Sequence, residues 1–220
     1  MTILNIFFIL SQGKMTDTTR VDNIADLLMK GGVIMIPIIL LSLVSIYLFI
    51  ERYIYIRNAT RIDEKLIKGI VNELTGKQPS KVAGIMQKDQ TSMERILESG
   101  LGQIGKSAKE VENYMESAAN LEIALMEKDT GYLGIIAGVA PMLGFIGTIS
   151  GVIKIFYNIS LSDNISIGII AGGLYQKMIC SGTGLIVGVI AYSCYHILQM
   201  MIDRFSIKLQ RQVNEVVKVL

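Results

Sequence analysis

Apolar residues fall in three long blocks separated by polar sequence. That distribution predicts membrane-spanning helices rather than a soluble core. Gly31 to Ile50 is twenty residues without a charge, closed by Glu51-Arg52, with Pro37 a third of the way in. A membrane helix tolerates such a proline because neighbours re-satisfy the freed carbonyl. The second block runs uncharged from Thr130 to Ile153 and ends at Lys154. The third runs from Ile165 to Ile202, broken only by Lys177. As one helix it would be roughly 57 Å long against a hydrocarbon layer of about 30 Å, so its far end must leave the membrane.

The polar stretch from Arg57 to Asp129 reads as helical hairpins. Ile62, Leu66 and Ile70 share a face, and Gly76 and Pro79 then break that helix. Met93, Ile96, Leu97, Leu101 and Ile104 make a second apolar stripe. Ser107-Ala108-Lys109-Glu110 matches a capping box that starts a third helix. Its apolar positions, Val111, Tyr114, Ala118, Leu121 and Leu125, lead into the second span with no stop signal stronger than Gly131. One helix is therefore expected to run on from the polar stretch into the membrane.

Arg52, Arg57, Arg61, Lys65 and Lys68 crowd the exit of the first span, whereas Phe156 to Gly168 holds no Lys or Arg. The positive-inside rule then orients the chain. The expected division is an N-terminal outer-side segment (1–30), transmembrane helix 1 (31–52), a cytoplasmic helical domain (53–129), transmembrane helix 2 (130–156), a short periplasmic link (157–164), transmembrane helix 3 (165–195) and a cytoplasmic helical tail (196–220). Within the first segment, MTILNIFFIL is too short to span a bilayer and lacks the basic start of a signal peptide. Either translation starts at Met15 or this block lies on the membrane surface. The fold class expected is an all-α membrane protein whose long helices extend into a cytoplasmic helical domain, assembled as a homo-oligomeric ring.

Composition supports this class: 51% of the 220 residues are hydrophobic and only 18% charged, where a soluble domain carries about a quarter. A net charge of +2, with no basic cluster interleaved with aromatics, gives no support for nucleic-acid binding. Cys180 and Cys194 lie fourteen residues apart in the third block, roughly 21 Å along one helix, too far for a disulfide. The single His196 has no acidic or cysteine partner at ligand spacing, and no phosphate loop is present, so no catalytic site, metal or cofactor is expected.

The second and third spans hold the distinctive chemistry. Gly134, Gly138, Gly144, Gly147 and Gly151 recur along one, and Gly172, Gly173, Gly182, Gly184 and Gly188 along the other. Small residues let helix backbones approach closely in lipid, so packing accounts for most of this pattern. Polar groups add to it. Thr148 lies mid-span; Lys177, Ser181, Gly184 and Gly188 fall on one helix face, flanked by Gln176 and Thr183. A lysine in a span normally faces protein or water. Lys154, at a span end, is expected to snorkel. Three helices cannot enclose a polar path alone; a ring of identical chains can.

These segments resemble the ExbB/TolQ/MotA family. Ala140-Pro141-Met142-Leu143-Gly144-Phe145-Ile146-Gly147-Thr148-Ile149-Ser150-Gly151 resembles its A-P-x-L-G-x-x-G-T-x-x-G signature, and Ser181-Gly182-Thr183-Gly184-Leu185-Ile186-Val187-Gly188 its T-A-x-G-L-x-V-A stretch. MotA-type stators carry a fourth span that is missing here, so ExbB or TolQ fits better. The resemblance implies a homopentamer in the bacterial inner membrane around a dimer of single-span ExbD/TolR-type partners, with a TonB/TolA-type protein beyond. A membrane aspartate on the partner would carry protons. It implies Thr148 and Ser181 as path hydroxyls; the span pattern itself adds Lys177, Gln176 and Thr183 as pore-lining candidates and Pro141, Gly144, Gly147, Gly151, Gly184 and Gly188 as packing positions. Many relatives have glutamate where Gln176 stands, so any titrating carboxylate must come from the partner; Lys177 is a further departure. The function expected is the ring subunit of a proton-driven motor, not an enzyme. The alternatives are an ion-independent membrane scaffold gripping a partner helix, and a secondary transporter, which the lack of an inverted repeat disfavours.

Overall fold

The computed structural model describes residues 32–61, 69–70, 91–103, 105–161 and 167–218. Its elements are five helices among the described residues: α1 (Met35–Ala59), α2 (Ser92–Leu101), α3 (Ala108–Glu127), α4 (Thr130–Ser160) and α5 (Ile167–Val217). The helix expected around Ile62 and Leu66, its break at Gly76 and Pro79, Ile104, and the first thirty residues lie outside the described part. Three helical stretches are long and apolar enough to cross a membrane, in α1, α4 and α5. The 51-residue α5 is roughly 77 Å long, well over twice the hydrocarbon thickness.

The molecule is packed in two different ways along this length. At the polar end, α5 turns Leu198, Ile202, Phe205, Leu209, Val213 and Val216 inward at helical spacing, all of them buried. They join a core with Ile56 of α1, Met93, Ile96 and Leu97 of α2, and Val111, Met115 and Met126 of α3. These are large side chains, each contributing about 1.5–3 kcal/mol by leaving water. At the other end the core is smaller: Met35 and Ile38 of α1 meet Ile136, Ala140, Cys180, Val187 and Ala191 of α4 and α5. Lipid gives helices no hydrophobic reason to associate, so contact there comes from close backbone approach.

Ser107 caps α3 through the expected capping box: its hydroxyl accepts from the Glu110 N–H, and its own N–H donates to the Glu110 carboxylate. Thr91 caps α2, accepting from the Glu94 N–H. The junction between α3 and α4 corrects the expectation of one continuous helix. Lys128 is extended (φ −50°, ψ 134°) and Asp129 left-handed (φ 64°). Aspartate is among the few residues that tolerate this conformation. Its carboxylate accepts from Arg52 of α1 at 2.7 Å. The chain breaks where that bond can form.

Arg52 is only 8% exposed, which an unpaired cation could hardly be. Glu51 is its second partner at 3.2 Å, and Tyr55 lies under the guanidinium, 5.6 Å to the ring centroid. A second ion pair locks α2 onto α3. Arg95 donates to both Glu122 carboxylate oxygens at 2.7 and 2.6 Å. Burial pushes the Glu122 carboxyl up, but hydrogen bonds from Arg95 and Ser92 and the Arg95 charge outweigh it and hold the group below the usual glutamate range. Arg95 is raised in turn, chiefly by its hydrogen bond to Glu122.

Candidate functional site: the seam between α4 and α5

The expected packing glycines meet along one seam. A Cβ on Gly184 would stand 2.6 Å from the Ala140 carbonyl oxygen and 3.0 Å from the Gly144 Cα. On Gly144 it would meet the Ser181 Cα at 3.1 Å and the Cys180 carbonyl oxygen at 3.2 Å. Backbone touches backbone here, so no side-chain motion can make room. A Cβ on Gly147 would stand 2.8 Å from the Cys180 Sγ. Cys180 is thus the side chain that fills the middle of the seam.

Pro141 sits inside α4 and has no N–H, so the Ala137 carbonyl loses its helical donor. That carbonyl faces α5 where Gly188 passes: a Cβ there would be 2.9 Å from it and 2.5 Å from the Pro141 ring. Gly188 therefore makes space for both the proline and the carbonyl it frees.

One hydroxyl bridges the two helices. The Thr148 Oγ1 lies 3.2 Å from the Gly144 carbonyl oxygen of its own helix and 3.2 Å from the Lys177 carbonyl oxygen of α5. It has one proton to donate, so it serves one acceptor at a time or shares the bond. Thr148 and Ser181 are both half-buried, and Ser181 presents its backbone to Gly144 one turn away. Thr183 bonds within α5, to the Ile179 carbonyl at 2.9 Å. Gln176 lies on α5 next to Lys177, and its side chain is outside the described part.

Lys177 contributes two different groups. Its carbonyl belongs to the seam. Its side chain leaves the Thr148 site, lies across Gly151 in the space a Cβ would take, and carries the ammonium toward Gly32. Gly32, at φ +83°, is in the turn that starts α1. Lys177 is thus level with the beginning of α1, although it is ten residues into α5. Lys154 and Lys177 line the same cavity there.

No group of three or more His, Cys, Asp or Glu able to hold a metal occurs among the described residues. His196 is exposed and stacks edge-on with Tyr192 and Tyr195, at 4.2 and 5.2 Å between centroids. Neither α4 nor α5 offers an acid at the seam, so its chemistry is limited to hydroxyls, carbonyls and the Cys180 thiol.

Residues 88–211 match the model of the MotA/TolQ/ExbB proton channel family. The chain is 24% identical over 190 residues to an ExbB-like biopolymer transport protein of Synechocystis, covering 86% of this chain and 90% of that one. It is 29% identical over 181 residues to an ExbB homologue of Methanothermobacter thermautotrophicus, covering 82% and 64%. The Tol-Pal system protein TolQ of Haemophilus influenzae is 24% identical over 216 residues, covering 86% and 95%. Three helices able to span a membrane, a glycine seam joining two of them, a threonine bridging that seam and a family match over more than half the sequence agree: the chain belongs to the MotA/TolQ/ExbB proton channel family, whose members are membrane motor subunits and not enzymes.

Proposed function

We propose that this chain is the ring subunit of a proton-driven motor in the bacterial inner membrane, with its N-terminus periplasmic and its C-terminus cytoplasmic. Five copies would place α4 and α5 toward the axis and α1 outside, around an ExbD/TolR-type dimer that supplies the titrating carboxylate. The work would pass to a TonB/TolA-type protein. The observation that carries this reading is the half-buried Thr148 hydroxyl, set between carbonyls of two helices in a seam without an acid. Such a hydroxyl can hand a proton on by exchanging its donor and acceptor roles. Thr148, Ser181 and Thr183, with Gln176 beside them, are proposed as the path. Lys177 would border it through its carbonyl. The packing positions Pro141, Gly144, Gly147, Gly151, Gly184 and Gly188 would hold the path's width.

A second reading, an ion-independent scaffold, draws on the same bond: a threonine that donates across a helix pair also serves as a fastening. Proton flux into liposomes separates the two. Wild-type chain with its single-span partner is expected to conduct, and without the partner not to. Thr148→Val removes the hydroxyl at similar volume. Flux should then fall at least about tenfold, the effect of withdrawing some 1.4 kcal/mol from the transfer step, while assembly persists. Undiminished flux in the valine variant would make Thr148 a fastening.

A further inference from the structure

Where α1 begins, a cavity of about 520 Å³ opens between α1, α4 and α5. Lys154 and Lys177 line it together with Ser150, Asn158, Gly32 and Gly151. No aspartate or glutamate among the described residues stands in its wall. Among the described residues neither lysine has an ion pair. Among the described residues, two cations therefore share one cleft with no carboxylate to balance them.

The cleft is also shaped around one of them. Gly151 has no side chain, and the Lys177 stem fills that space. The ammonium ends 3.6 Å from where a Cβ on Gly32 would stand. A lysine that only needed water would extend outward along the helix surface. This one is folded under α1 into a pocket between helices. Because α1 starts at this level, the pocket lies at a boundary between hydrocarbon and water, whichever way the chain is oriented. The abundant anion at such a boundary is the phosphodiester of a phospholipid headgroup, whose oxygens accept charge-assisted hydrogen bonds from an ammonium.

We propose that this cavity is a phosphate site for an anionic phospholipid. Lys154 and Lys177 supply the charge, and Ser150 supplies a polar contact to the headgroup. The site rests on α1, α4 and α5 spanning a membrane and not on proton transfer, so it can fail while the motor reading stands, and the reverse.

Native mass spectrometry of the full chain in neutral detergent tests it. Phosphatidylglycerol and phosphatidylcholine of matched acyl chains would be offered together. Each lysine near a headgroup favours the anionic lipid by about fivefold, so the wild type should retain phosphatidylglycerol at least about fivefold over phosphatidylcholine. The ratio should approach one in the Lys154→Gln/Lys177→Gln chain and persist in the Lys154→Arg/Lys177→Arg chain. If the neutral pair fails to fold, Lys154→Gln alone, altering an exposed side chain, should still lower the ratio. Excess inorganic phosphate should leave the lipid bound. Phosphate that displaces it would show a free anion to be the ligand and overturn the lipid assignment. An unchanged ratio in a folded neutral variant would overturn the site.

Discussion

Replacing Gly184 by alanine asks the α4–α5 seam to accept one methyl group. That methyl would lie 2.6 Å from the Ala140 carbonyl oxygen, where ordinary contact begins at 3.4 Å. The obstacle is backbone on a rigid helix, so the helices must part by about 0.8 Å, which would stretch the 3.2 Å bond from Thr148 to the Lys177 carbonyl to about 4 Å, beyond hydrogen bonding. Overpacking of this kind costs about 1–3 kcal/mol, against roughly 1 kcal/mol that alanine gains over glycine in a helix. The lost bridge adds about 0.6 kcal/mol. The net expectation is a destabilisation of about 0.6–2.6 kcal/mol, or a fall of some 1–10 °C in Tm for a chain of this size. A fluorogenic thiol dye reads the transition at the chain's own cysteines, because Cys180 is buried and Cys194 half-buried in the folded chain. Gly182 supplies the control on the same helix. A Cβ there meets nothing within 4 Å in the protomer, so Gly182→Ala should leave the seam closed. A Gly184→Ala chain that melts with the wild type would refute the claim that backbone contact sets the helix spacing.

The α3–α4 break gives a second expectation. Asp129→Asn keeps a residue that tolerates the left-handed backbone but withdraws the charge facing buried Arg52, and should cost about 1–3 kcal/mol in thermal unfolding; Glu51→Gln, at the exposed partner, should cost much less. Equal melting of Asp129→Asn and wild type would remove the pair as the reason for the break. The Arg95–Glu122 pair sets a pH dependence. The folded Glu122 pKa is depressed, so its stabilisation is fully present above the unfolded glutamate value of about 4.3 and is lost as pH falls through the folded value below it. Glu122→Gln should be less stable at neutral pH and should lack this part of the acid transition. A variant with the wild-type acid profile would contradict the assignment.

Much of this protein was legible along the chain. The three helices long and apolar enough to cross a membrane follow from apolar runs, the third broken only by Lys177, since a bilayer sets a minimum length that no other solvent imposes. The capping box at Ser107 and Glu110 is a local device and appears where its spacing puts it. The glycines of the second and third spans marked two helices that approach closely, although not which glycine meets which backbone.

What spacing could not reach is what joins distant residues. Arg52 and Asp129 are 77 positions apart, and their bond explains why the helix stops where apolar periodicity would carry it on. Thr148 was visible as a mid-span hydroxyl, but its acceptor, the Lys177 carbonyl, has no sequence signature because every residue carries one. Lys177 was visible as the one charge inside the third apolar block, on the face of Ser181, but its depth was not. Its actual level is set by packing: Gly151 leaves room for the stem, and α1 begins beside the ammonium. The sequence by itself determined how many helices cross and which faces are small or polar, because those properties are local and periodic. Tertiary structure alone decided depth and partnership, because they depend on how far one helix is shifted against the next.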